Sequence, residues 1–144
     1  MTEPSESPSS ESASTGPAEV QQAAPILLVS DMPRSIAYYR DQLGFNDHVS
    51  EWGEPTAFAI LWRRPVAIML ADTAPGTTIT PNWKLREKTS TVYIWVPDAK
   101  AIYDEFLARG VEMDYDLYEA PHGCLEFGVS DPDGHDISFG QDLG

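Results

Sequence analysis

The chain has 144 residues and a formal charge of −14, from 9 Lys plus Arg set against 23 Asp plus Glu. That length fits one domain able to bury roughly 70% of its unfolded surface without a disulfide or metal staple, and a 42% hydrophobic content excludes a wholly disordered protein. A pI near 4.3 disfavours nucleic acid, no run reaches the ~20 apolar residues of a membrane span, and a single cysteine, Cys124, excludes a disulfide framework or a four-thiolate zinc site. The expectation is a soluble, cytoplasmic protein whose natural partners are cationic.

Residues 1–24, MTEPSESPSSESASTGPAEVQQAA, contain no aromatic and no basic residue and are rich in Ser, Pro, Ala and Glu. This composition predicts a disordered acidic tail. Of the 23 acidic residues only Glu3, Glu6, Glu11 and Glu19 fall there, so most of the negative charge belongs to residues 25–144.

From Pro25 onward the chain repeats itself. ILLVSDMPRSIAYYRDQLGF, starting at Ile26, and VYIWVPDAKAIYDEFLARGV, starting at Val92, each give an apolar run, an Asp, an amphipathic segment and a Gly. Asp31 aligns with Asp98 and Gly44 with Gly110 once a single one-residue gap is allowed, which predicts a duplicated module. Pro33 suits a first helical turn, Ile36, Tyr39 and Leu43 recur at helical spacing, and Gly44 is a stop; Ala99, Ile102, Phe106 and Gly110 do the same in the second copy. Strand-like stretches follow each helix: 45–52, 57–62 and 66–70, then 112–118, 124–130 and 135–140, separated by Gly- and Pro-containing turns. The pattern is βαβββ written twice, an α+β fold with modules at about 25–72 and 90–141. A Thr- and Pro-rich connector joins them, and Arg63, Arg64, Lys84, Arg86 and Lys88 are expected to cover the junction.

The opening SDMPRSIAYYRDQLGF, the closing CLEFGVSDPDGHDISFGQ and the duplicated βαβββ pattern resemble the vicinal oxygen chelate superfamily, which includes glyoxalases, extradiol dioxygenases and bleomycin-resistance proteins. The ending is most similar to the bleomycin-resistance branch. The resemblance implies curled mixed sheets whose concave faces form a cleft, commonly completed in a homodimer. Metal-dependent members place His or Glu at four cleft-facing strand positions. Carried over by the module motifs, these fall on about Ala24, Met69, Thr91 or neighbouring Val92, and Ser138, a set without a plausible ligand for a divalent ion. No metal and no other cofactor is therefore expected.

Strand alternation sends Leu27, Val29, Val66, Ile68, Leu70, Val92, Ile94, Val96, Ile137 and Phe139 toward the helices. Ile26, Leu28, Ala67, Met69, Thr91, Tyr93, Trp95, Asp136 and Ser138 then face the cleft. His122, Cys124 and Glu126, at two-residue spacing, form a rival zinc trio, against a plainer reading of turn residue, small buried thiol and cleft carboxylate. His135 reads as a hairpin residue, His48 as an exposed strand residue, and Cys124 as an inert thiol. Carboxylates interleave with large π surfaces over 51–54 and 112–119, which suits a flat or cationic ligand. The candidate ligand-binding residues are Trp95, Tyr93, Met69, Ser138, Trp52, Phe58, Trp62, Asp114, Tyr115 and Glu126; none is a candidate catalytic or metal-binding residue. The bleomycin-resistance resemblance implies metal-free sequestration of a cytotoxic antibiotic, bleomycin-like or planar aromatic. The alternative is a lyase, isomerase or dioxygenase of the same superfamily, using a displaced metal or a general base such as Glu126 or Asp136.

Overall fold

The computed structural model describes residues 16–144. The predicted tail lies outside the described residues up to residue 15, and residues 16–24 carry neither helix nor strand. The rest is α+β and repeats one plan. In the first module β1 (Ile26–Val29) leads into α1 (Met32–Ala37), which continues as a π-helical turn over Tyr38–Gln42; β2 (His48–Trp52), β3 (Phe58–Arg63) and β4 (Val66–Asp72) follow. A connector containing a short helix α2 (Asn82–Leu85) leads to β5 (Val92–Trp95), α3 (Ala99–Ala108), β6 (Met113–Ala120), β7 (Cys124–Ser130) and β8 (Asp136–Asp142). The sheets are ordered β1-β4-β3-β2 and β5-β8-β7-β6, with β1∥β4 and β5∥β8 parallel and the remaining pairs antiparallel.

The repeated Asp and Gly have the same local role in both copies. Asp31 and Asp98 are N-caps, each carboxylate accepting a backbone N–H three residues on, from Arg34 and from Ala101, both at 3.1 Å; such caps stabilise a helix by about 1 kcal/mol. Gly44 and Gly110 both have φ +77°, the left-handed conformation that ends a helix without a Cβ penalty. Of the predicted inward set, Leu27, Val29, Ile68, Leu70, Val92, Ile94, Ile137 and Phe139 are buried in the core and Val66 and Val96 pack against it partly buried, while Ile26 and Trp95 are 60% and 61% exposed on the opposite faces. Phe106 of α3 packs edge-on against Phe127 and Phe139, whose rings stack at 5.2 Å and 13°.

The predicted strand from Phe45 begins only at His48, because Phe45 turns into the core, 1% exposed, with its ring 6.5 Å from Tyr39. In the π-turn Leu43 N–H donates to Tyr38 O at 3.1 Å, and this wider turn carries two consecutive tyrosine hydroxyls to the β7–β8 hairpin. Tyr39 OH donates to Asp131 Oδ2 at 2.7 Å, and Tyr38 OH to Ser130 O at 3.2 Å.

His135 is a buried clasp residue, not merely part of a turn. Its Nε2 lies 2.9 Å from Leu28 O and its Nδ1 3.3 Å from Thr91 Oγ1, tying β1 of one module to the residues that lead into β8 and β5 of the other. Asp133 accepts from Ser30 beside it. On the far side Arg63 covers the junction as expected, donating to Leu43 O at 2.9 Å and pairing with Glu105, which Arg109 also reaches. Arg64 and Lys84 instead lie over the Trp62 and Trp83 rings. No helix among the described residues is long and apolar enough to cross a membrane.

Candidate functional site

On the β5-β8-β7-β6 sheet, the face turned away from the helices is the floor of an open groove of about 960 Å³. Tyr93 and Trp95 of β5, Glu126 of β7 and Asp136 of β8 lie along it by strand alternation, and β6 adds Asp114, Tyr115, Asp116 and Tyr118, where register shifts in the β6–β7 ladder break the alternation. The connector supplies a wall: Trp83 and Glu87–Ser90 line the groove as well. That wall is held by two bonds to the second module and one within the connector. Trp83 Nε1 donates to Gly134 O at 2.7 Å, Asn82 Nδ2 to Ser90 O at 3.2 Å, and Ser90 Oγ is hydrogen-bonded to Ser138 Oγ.

Glu126 is the hub of the floor. Its Oε1 accepts from Tyr93 OH at 2.8 Å and lies 2.9 Å from His122 Nε2, and its Oε2 accepts from Tyr115 OH at 3.2 Å. Tyr115 OH is also 2.7 Å from Ser138 Oγ, so the polar chain runs from exposed His122 through Glu126, Tyr115 and Ser138 to Asp136. Two strand glycines make this possible. A Cβ at Gly140 would collide with the Tyr93 hydroxyl and ring, and one at Gly128 with the Tyr115 ring; without side chains there, the two phenols lie across the sheet and reach Glu126. Burial, helped by the bonds to Glu126 and Cys124, holds the Tyr93 phenol well above its usual range, and burial does the same for Tyr115. The Asp136 carboxyl is pushed up to about 8 by burial first, then by its hydrogen bond with Asp114 and that group's charge.

The Glyoxalase/Bleomycin resistance protein/Dioxygenase superfamily model matches residues 20–139. The chain belongs to this superfamily. No curated protein matches the chain in sequence. Solved superfamily relatives and likenesses include the bleomycin-binding protein from bleomycin-producing Streptomyces verticillus complexed with copper(II)-bleomycin, 25% identical over 88% of this chain and 98% of that one, with a TM-score of 0.60. TnmS3, an antibiotic binding protein from Streptomyces sp. CB03234, is similar at 18% identity, covering 87% and 99% of the two chains, TM-score 0.62. A glyoxalase-related enzyme from Clostridium phytofermentans is similar at 14% identity, covering 88% and 98%, TM-score 0.69. Some members with this fold thus bind antibiotics and others are named as enzymes.

The donor set of this superfamily member does not fit the divalent metal that metal-dependent relatives hold. Ala24 precedes β1, Met69 offers a thioether, Thr91 Oγ1 is engaged with His135, and the buried Ser138 hydroxyl is shared among Ser90, Tyr115 and Asp136. The rival trio does not converge: Cys124 is buried, His122 and Glu126 pair with each other, and among the described residues no three His, Cys, Asp or Glu side chains form a metal-holding group.

Of the ten candidate binding residues, Tyr93, Trp95, Asp114, Tyr115 and Glu126 come together in the groove. Ser138 lies fully buried beneath it, holding Tyr115 and Ser90. Met69, Trp52, Phe58 and Trp62 belong to the other sheet: Met69 is in register with Ile26 and Ile60, Trp52 and Phe58 have ring centroids 5.9 Å apart, and Trp62 lies under Arg64. Trp83, Tyr118 and Asp136 were not among the candidates yet line the groove. Asp136 carried a readable signal in strand alternation, whereas Tyr118 reaches the groove past a register shift in β6 and Trp83 through the connector, neither of which has a period to read.

Proposed function

We propose that this chain is a metal-free capture protein for a cytotoxic, aromatic antibiotic, acting in the cytoplasm by stoichiometric binding without making or breaking a bond. The observation that carries this reading is the groove: five aromatic rings, Trp83, Tyr93, Trp95, Tyr115 and Tyr118, stand around an acidic floor. Rings stack on a flat ligand at small cost in ordering, and the carboxylates draw in positive charge. The likeness to a bleomycin-binding protein at 25% identity supports it.

The test is a thermal-shift series with metal-free bleomycin, copper(II)-bleomycin and planar aromatic antibiotics, followed by mass spectrometry of the recovered ligand. A ligand that binds only the folded state raises the midpoint by mass action. Recovery of a chemically altered ligand, turned over more than once per chain, would replace capture with catalysis. Within this reading Trp95→Ala weakens the bound antibiotic by about 1 to 3 kcal/mol, the scale of base–aromatic stacking, and leaves the melting temperature near that of the native chain because the indole is 61% exposed. Fluorescence titration of both proteins checks it.

The active form is proposed to be a homodimer. The open face of the first sheet exposes Ile26, Leu28 and Trp52, an apolar surface that a second copy would cover. Light scattering is expected to give about twice 15.9 kDa. A monomer retaining full affinity would refute a cleft shared between copies.

A further inference from the structure

Asp131 and Asp136 flank the β7–β8 hairpin, equally buried and very unequally supplied with donors. Asp131 accepts from Tyr39 OH at 2.7 Å and from the backbone N–H groups of Asp133 and His135 at 3.0 and 2.8 Å. Asp136, 6% exposed on the groove floor, is offered one side-chain hydroxyl, Ser138 Oγ at 3.4 Å, which Tyr115 and Ser90 also share. Its other partner is a second carboxyl, that of Asp114 on β6, one strand beyond β7. A hydrogen bond between two carboxyl groups requires a proton on one of them. Buried polar groups are ordinarily satisfied, so a carboxyl this short of donors beside an open groove calls for one brought by a ligand.

The other carboxylates of the groove are better provided for. Glu126 takes Tyr93, Tyr115 and His122, and Asp116 accepts from Tyr103 OH at 2.9 Å. Around Asp136 stand Asp114 and Tyr115 from β6, Glu126 from β7 and Tyr93 from β5. Glu87 and Lys88 line the groove from the connector, and His122 from the β6–β7 turn. Acidic groups outnumber basic ones there, so the field favours an incoming cation.

We propose, resting on the capture reading, that the cationic N–H group of the ligand seats between Asp114 and Asp136 and displaces the proton held at Asp136, so that capture of a cation releases a proton to solvent. The ligand class is then a planar aromatic carrying an ammonium, amidinium or guanidinium group. A neutral aromatic of the same shape binds by stacking and releases nothing. Because the Asp136 carboxyl loses its proton only near 8, the cation must displace that proton at lower pH, and affinity rises by up to about tenfold per pH unit before levelling above about 8.

The experiment is calorimetric titration with 9-aminoacridine, a cation throughout this range, and with uncharged acridone, each in two buffers of different ionisation enthalpy, repeated from pH 6 to 9. The native chain is expected to release between about half and one proton per 9-aminoacridine at pH 7 and none with acridone. Asp136→Asn is expected to abolish the release and flatten the pH profile; Asp114→Asn, the second variant should that one fail to fold, is expected to reduce the release and move the levelling of affinity to lower pH, because the burial of Asp136 remains. Binding of 9-aminoacridine by the native chain without proton release overturns the inference while leaving the groove reading standing, as does release undiminished in both folded variants. Failure of both probes to bind overturns the groove reading and this inference with it.

Discussion

Asp131→Ala lowers the unfolding free energy by about 3 to 5 kcal/mol, as much as truncating a buried core aromatic. The carboxylate satisfies the Tyr39 hydroxyl and two backbone N–H groups in a region where Asp131 is 5% exposed and Tyr39 fully buried. Each buried donor left without a partner costs about 1 to 3 kcal/mol, and part of that cost is relieved by relaxation and water entry. For a chain of this size the loss lowers the melting temperature by roughly 10 to 15 °C. Asp131→Asn is milder, by about 1 kcal/mol, because both backbone donors address the same oxygen, Oδ1, which an amide carbonyl replaces, and the Tyr39 hydroxyl can turn to accept from the amide. Thermal denaturation of the two variants gives the ranking. Equal melting points for Asp131→Ala and the native chain would show that the hairpin does not hold the modules together through this residue.

Gly140→Ala is the second. The backbone at this position is ordinary, so the cost comes from space: the new methyl would occupy the place of the Tyr93 hydroxyl and ring edge. Tyr93 must leave Glu126, which costs about 1 to 3 kcal/mol of overpacking and lost hydrogen bonding, and the groove loses one wall, weakening an aromatic ligand by at least about tenfold. The diagnostic result is non-additivity. Combined with Tyr93→Ala, the Gly140→Ala change should cost almost nothing further, since the ring it strikes is gone. Full additivity in denaturant unfolding would mean that the methyl meets something else.

Local features of the fold were legible in the sequence, and contacts between distant elements were not. Asp31 with Asp98 and Gly44 with Gly110 are caps and stops because their chemistry acts within three or four residues, and the inward strand positions follow from a period of two. The roles of His135 and Asp131 depend on where the first module lands against the second, over 90 residues away in sequence, and no local pattern records that. For the groove, alternation sends Tyr93 and Trp95 to the correct face, yet it cannot show that Glu126 gathers both tyrosines. The available clue was Gly128 and Gly140, each inside an otherwise well-formed strand, where a missing side chain marks the close approach of another group. Trp52, Phe58 and Trp62 lie on the other sheet, and alternation, which assigns a face within a sheet, says nothing about which sheet carries the groove.

Ile26 beside Met69 in one parallel strand pair and Tyr93 beside Ser138 in the other occupy corresponding places in a duplicated plan. A connector between two copies, however, exists only once. Here its Trp83 is anchored to Gly134 and its Ser90 to Ser138, both in the second module, so the segment can furnish a third wall to that sheet and has no counterpart for the first. Covalent connectivity alone therefore breaks the equivalence of the halves. The consequence is one walled groove per chain, on the second sheet, with the twin face of the first sheet left without such a wall.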